Sequence, residues 1–231
     1  MNFSRKKLEG YYNPRLSQYT ESYQILDWES PEAQRLRFKA LAGGVPLSGL
    51  SLLDVGCGCG DLFGFLKEEG IETDYTGVDI LPGMVDKARA LYPGGRFYCA
   101  DVFADSSPSS DSPKAPPASG EFHPASIYDV VYTSGIFNLN LGNNEEFFLR
   151  AIPVLGRLAK QYLVVSLLDT ASPDRRNRYY YFSPGAAAKT LRRQGFEIEV
   201  VKEYLGNDFT LVGRRPGREP EPGSLLSHRR E

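Results

Sequence analysis

The sequence predicts an α/β fold, one doubly wound domain whose seven-stranded sheet is mostly parallel and ends in an antiparallel C-terminal hairpin. Three observations carry that prediction. Short apolar runs rich in Val, Ile, Leu, Tyr and Phe recur at 51–55, 75–80, 96–102, 128–134 and 162–168, with the length and composition of buried strands. Helical patterns separate them, and strand–helix alternation calls for parallel pairing through right-handed crossovers. Finally, Phe196, Ile198 and Val200 alternate with Glu197 and Glu199, and a short turn at 205–208 leads into 209–214. So short a connection cannot hold a crossover, so the last strand runs antiparallel to its neighbour.

The helices follow from their punctuation. Ser30 and Pro31 open one that reaches Ala42, with Leu36, Ala40 and Leu41 on one side. It closes an N-terminal helical segment, 1–50, that either folds over a cofactor or covers the sheet. The crossovers at 61–69 (Leu62, Phe65, Leu66) and 83–92 (Met84, Val85, Ala88, Leu91) carry apolar residues at helical spacing. The third, 145–160, contains Pro153 and Gly156, which predict a kink or interruption. The fourth, 185–194, has Ser183 as N-cap, Pro184 at its first position and Gly195 past its end. Two stretches lack any hydrophobic period: 104–126, loaded with Ser and Pro and expected to be a flexible insertion, and 215–231, expected to be a disordered tail. A single domain therefore spans 1–214.

Charge and cysteine content limit the function. Lys plus Arg number 27 against 29 Asp plus Glu, so no overall positive field gathers phosphates, and neither nucleic acid nor an anionic membrane is an expected partner. No apolar run reaches the roughly 18 residues of a membrane helix. Cys57, Cys59 and Cys99 with two histidines offer neither a disulfide framework nor a zinc set, so no metal is expected and the chain reads as cytoplasmic. A small-molecule substrate suits this balance, and the oligomeric state is not legible.

The strongest motif is Leu-Leu-Asp-Val-Gly-Cys-Gly-Cys-Gly-Asp at 52–61, a buried strand running into a glycine turn and then a helix. Glycines at 56, 58 and 60 let a ligand approach the backbone amides, and the helix start offers N–H groups to a carboxylate. Asp79 ends the second strand, where a carboxylate accepts from both ribose hydroxyls, and Asp101 ends the third, where an acceptor suits an adenine amine. A dinucleotide fingerprint starts similarly, but its third glycine position is here Asp61, a carboxylate where a pyrophosphate would sit. A cofactor with a cationic centre and no phosphate fits better.

The segments LLDVGCGCGDL, YTGVDI, CADVF and DVVYTSGIFNL resemble the successive motifs of class I S-adenosylmethionine-dependent methyltransferases, with their Rossmann-like sheet, over 51–214. The resemblance implies S-adenosyl-L-methionine as cofactor. Asp54, Gly56, Cys57 and Gly58 would line its methionine and loop end, Asp79 its ribose, Ile80 and Met84 its adenine face, and Asp101 and Val102 the adenine edge. Ser134 would approach the methionine from the other side. After the fourth strand stands Thr133-Ser-Gly-Ile-Phe-Asn138 rather than Asn-Pro-Pro-Tyr, so amino-group methylation of bases or glutamine is not indicated.

Methyl transfer needs no nucleophile from the protein, only in-line placement of an acceptor, here expected near Ser134, Phe137 and Asn138. By residue type a general base could be one of Tyr179, Tyr180 and Tyr181, Asp169 or His123, none assigned as catalytic. Arg37 could pair with the cofactor carboxylate, but with Arg35 and Lys39 it reads first as a solvated helix face. Cys57 and Cys59 read as small turn residues. Two other functions are consistent with the motifs: a binding module that catalyses nothing, and a nicotinamide-dependent oxidoreductase.

Overall fold

A computed structural model describes residues 2–104, 122 and 127–217, and most of the expected insertion and tail lies outside them. The sheet comprises β1 (Ser51–Val55), β2 (Asp74–Asp79), β3 (Phe97–Cys99), β4 (Tyr128–Ser134), β5 (Ala159–Leu168), β6 (Glu197–Val201) and β7 (Asp208–Arg214). Their order is β3-β2-β1-β4-β5-β7-β6. The first five are mutually parallel, and β7 slots between β5 and β6, antiparallel to both. The expected fold is the one observed.

Alternation along the strands explains the two layers. Leu53, Val55, Val131, Leu163 and Val165 point to a core built with α6 (Asn144–Leu158) and α7 (Pro184–Arg192). Leu52, Val130, Tyr132 and Val164 point the other way, onto α3 (Pro31–Gly44), α4 (Asp61–Glu68) and α5 (Pro82–Leu91). Successive residues facing opposite layers is the period of a strand buried on both faces.

Several boundaries differ from expectation for local reasons. The third strand stops at Cys99, because the Asp101 carboxylate accepts from the backbone N of Phe103 at 2.9 Å and folds the chain into a turn. Ile80 lies just past β2, where the Leu81 N–H donates to Asp79 Oδ1 at 2.9 Å. α6 runs on through Pro153 and Gly156 without interruption. Proline frees the carbonyl of Leu149, but that residue is 47% exposed and water can serve it. Ser30 caps α3 by accepting from Ala33 N at 3.1 Å, whereas the Ser183 side chain makes no cap bond on α7.

Two N-terminal helices precede α3: α1 (Asn2–Gln18) and α2 (Ser22–Ile25). Leu8, Tyr12 and Leu16 of α1, four residues apart, pack on a small cluster of Ile25, Cys59, Leu81 and Met84. α1 and α2 thus cover the carboxyl ends of β1 and β2, whereas α3 packs on a face of the sheet. No helix among the described residues is long and apolar enough to cross a membrane.

Candidate active site

The site grows from the glycine turn. The N–H groups of Gly56 and Cys57 both donate to Val78 O, at 2.7 and 3.1 Å, which pins the turn against β2. Gly56 and Gly58 have φ of +78° and +53°, and a Cβ on either would strike Ile136 at 2.1 Å or Leu26 at 2.7 Å. Only glycine satisfies both constraints. Asp79 accepts from Gly58 N at 3.0 Å as well as from Leu81 N, so its carboxylate is held rigidly while each oxygen keeps a lone pair for a ligand.

Acid dominates this half. Asp54 is buried and, among the described residues, accepts a hydrogen bond from the Tyr75 hydroxyl at 2.7 Å. Burial, reinforced by Asp79 and Asp61 against that hydrogen bond, lifts its pKa to about 7. Burial likewise raises Asp79 and Asp61, despite the backbone amides on the first and Ser22 and Gln34 on the second. Cys57 and Cys59 are free thiols; burial lifts Cys57 well above its ordinary value and, with Asp61 adding, Cys59 to about 12. They are small turn residues and not thiolates at neutral pH.

Asp54, Gly56, Cys57, Gly58, Asp79, Ile80, Met84, Asp101, Val102 and Ser134 all border one cavity of about 1070 Å³. That lies at the upper end of the usual range for a ligand site, about 300–1,000 Å³. Asn138, Ser172, Tyr179, Tyr181 and Asp208 border the same cavity. Asn138 Oδ1, Ser172 Oγ and Asp208 Oδ1, on residues that line the cavity but themselves closed to solvent, have no hydrogen-bond partner among the described residues.

Some candidates fall elsewhere. Phe137 is completely buried against Phe147, Phe148 and Phe182, so it shapes the wall from behind. Asp169 is bound to Lys202 at 2.8 Å and to Ala171 N at 2.9 Å, and does not border the cavity. Tyr180 packs on Phe182 with ring centroids 4.8 Å apart. His123 lies outside the described residues. Arg37 is not on a solvated face: it is 3% exposed, pairs with Asp208, donates to Ser134 Oγ at 3.0 Å and lies 4.2 Å from the Trp28 ring centroid. Burial disfavours its charge, but Asp208 keeps it ionised.

Sequence reasoning missed the groups that approach from the N-terminal segment. Ser22 and Gln34 donate to Asp61, at 2.5 and 3.1 Å, tying α2 and α3 to the start of α4. Tyr12, Leu26, Asp27 and Trp28 line the cavity. The one available signal was the spacing of Leu8, Tyr12 and Leu16.

A family model described as a methyltransferase domain matches residues 52–115, which include the glycine turn, Asp79 and Asp101. Rv1506c of Mycobacterium tuberculosis, a protein named as a methyltransferase, is 46% identical over 179 residues, 71% of this chain and 93% of its own length. The chain belongs to the methyltransferase family. Among solved structures, this methyltransferase is similar in fold to magnesium protoporphyrin IX methyltransferase from Synechocystis PCC 6803 with bound S-adenosylhomocysteine, at TM-score 0.60 and 16% identity, covering 92% of this chain and 99% of that one. It is also similar to a Burkholderia thailandensis 1,6-didemethyltoxoflavin-N1-methyltransferase, at TM-score 0.56 and 16% identity, covering 92% and 86%. In the methyltransferase described here, the matched motifs and the cavity coincide at the carboxyl ends of β1 to β4.

Proposed function

We propose that this methyltransferase uses S-adenosylmethionine as methyl donor and transfers the methyl group to a small or medium-sized polar acceptor. The observation that carries the reading is the meeting of all ten donor-site candidates on one cavity. The donor half suits the group: a glycine turn whose positive φ and close neighbours exclude a Cβ, Asp79 with lone pairs to spare, and acidic residues at 54, 61 and 79 around the turn. Arg37, which also borders the cavity, is already paired with Asp208. A pyrophosphate would meet acid there, which disfavours a nicotinamide cofactor.

When bound, S-adenosylmethionine supplies a methyl group on a sulfonium centre with a neutral thioether as leaving group. The chain's own task is placement. Asp79 holds the ribose, Asp101 and Val102 the adenine edge, and Gly56, Cys57 and Gly58 the methionine end, while Ile80 and Met84 pack on the adenine. Ser134, held by Arg37, marks the boundary with the acceptor half. The polar residues on the lining, Ser134, Asn138, Tyr179 and Tyr181, support an acceptor that brings hydrogen-bonding groups. The small excess of acidic over basic residues supports a small molecule over nucleic acid. A cytoplasmic location is part of the proposal, supported by three cysteines that all remain free.

Calorimetry with S-adenosylmethionine, S-adenosylhomocysteine and NAD, on the wild type and on Asp79→Asn, tests the donor assignment. Binding of the first two, weakened in the variant, is expected. A folded wild type that binds neither overturns the assignment, and a screen with methyl-labelled donor then addresses the acceptor.

A further inference from the structure

One carboxylate joins two parts of the chain across the cavity. Asp27, in the turn after α2, borders the cavity and accepts hydrogen bonds from the hydroxyls of Tyr11 on α1 and Tyr179 in the loop between β5 and α7. Arg15 of α1 donates to its other oxygen at 2.8 Å, and Arg178 approaches at 3.5 Å. Asp27 has φ +61°, one of two non-glycine residues in the left-handed region among those described. Such a conformation persists where its surroundings fix it, and here four side chains do so. Burial would raise the Asp27 carboxyl, but the two hydroxyls and two guanidinium groups hold it below its ordinary value, so the clasp stays charged at neutral pH.

Beside the clasp, Arg15 donates to the main-chain carbonyls of Gln24 and Ile25 at 2.5 and 3.0 Å, which ties α1 to α2, so that the two helices move as one piece. Leu8, Tyr12 and Leu16 rest on the cluster that contains Met84, and Lys7 Nζ donates to Leu141 O at 2.7 Å, on the loop after β4. The helix therefore touches the donor half with its apolar side chains and the acceptor loops with its polar ones. Few buried apolar contacts and a clasp of exchangeable hydrogen bonds mark an element that opens locally.

We infer that Asp27 is a positioning residue that latches α1 and the Tyr179 loop as a roof over both reactants, and that the reactants enter and leave when this clasp opens. The inference rests on the reading of the cavity as the methyl-donor site. Closure excludes water and fixes the acceptor against the donor, and opening sets the exchange rate.

The molecule carries its own reporter. Trp28, the single tryptophan of the sequence, follows Asp27 and lies against the Arg37 guanidinium. Asp27→Gly removes the carboxylate without conflict with the positive φ, Asp27→Asn keeps an acceptor oxygen but not the charge, and Tyr179→Phe removes one donor.

Amide hydrogen exchange on the unliganded full chain is the first arm. In Asp27→Gly the amides of α1 are expected to exchange at least about tenfold faster, with β1, β4 and β5 unchanged and the other two variants intermediate. Unchanged exchange in α1, or a rise spread through the strands, overturns the latch. Should Asp27→Gly fail to fold, the Tyr11→Phe/Tyr179→Phe pair decides by the same criterion.

Stopped-flow Trp28 fluorescence with S-adenosylhomocysteine is the second arm. The weakened clasp is expected to speed association and dissociation together, leaving affinity changed far less than either rate. Faster dissociation with unchanged association overturns the gating role. If the wild type does not bind S-adenosylhomocysteine, the donor reading fails, and hydrogen exchange alone decides the latch.

Discussion

Replacing Asp208 by alanine strands the Arg37 guanidinium where both side chains are almost wholly buried, 3% and 1% exposed. Arginine does not give up its proton in a protein, so the charge stays and loses its counter-ion. Removing one member of a buried pair costs about 3–5 kcal/mol. In a domain of this length each kcal/mol lowers the thermal midpoint by about 2–4 °C, so a drop of roughly 6–20 °C is expected. The double variant Arg37→Met/Asp208→Leu removes both charges and costs less than Asp208→Ala. Urea unfolding measures both. A cost for Asp208→Ala below about 1 kcal/mol, the level of a solvent-exposed pair, refutes the desolvation argument, and a double variant that costs as much as Asp208→Ala refutes the charge argument.

Three further outcomes follow from the site. Asp54, raised to about 7, favours its protonated form in the folded unliganded protein, so its contribution to stability is full below the ordinary carboxyl range and is lost as pH rises through about 7. Asp54→Asn should flatten the fall in thermal midpoint over that window, and calorimetry should show affinity for the cationic S-adenosylmethionine rising across it while that for S-adenosylhomocysteine does not. Gly56→Ala places a Cβ 2.1 Å from Ile136 at a φ of +78°. The left-handed penalty of about 1–2 kcal/mol, if it falls on the bound turn, weakens S-adenosylhomocysteine roughly tenfold with the circular dichroism spectrum intact. Asn144, 1% exposed, accepts from Leu141 N at 2.8 Å and donates to Phe137 O and Leu139 O at 2.9 and 2.7 Å, so it holds the loop after β4 in shape. Asn144→Ala should cost about 3 kcal/mol in urea unfolding and lower methyl transfer more than donor binding.

The parallel sheet was legible because its strands are buried on both faces, so Leu52 and Leu53, or Val130 and Val131, stand side by side as runs of apolar residues. The residues proposed to hold the donor were legible because they sit at strand ends and in one glycine turn, where position along the chain fixes position in space. The N-terminal segment was not, since α1 contains Pro14 and gains its place from long-range contacts at Asp27 and Met84. Arg37 shows a signal present and misread. Arg35 and Lys39, four apart, share an outer face of α3, but residue 37 falls on the opposite side and into the core. The proposed acceptor side was legible only in part, because Asn138 and Ser172 lie in two separate loops and Asp208 opens β7, and no spacing encodes their meeting.

The place of β7 has a bearing on how the chain is made. Residues 208–214 form the last strand in chain order, yet they lie inside the sheet with β5 on one side and β6 on the other. During synthesis the parallel half, with its glycine turn, leaves the ribosome first, and β5 waits with an open edge until this strand arrives. Asp208 is its first residue, so the ion pair that anchors α3 and Ser134 closes only at that moment. A chain stalled before Asp208 therefore carries the glycine turn, Asp79 and Asp101 but lacks the ion pair that ties α3 to the sheet, and it presents an unpaired hydrophobic edge to chaperones and to its own copies.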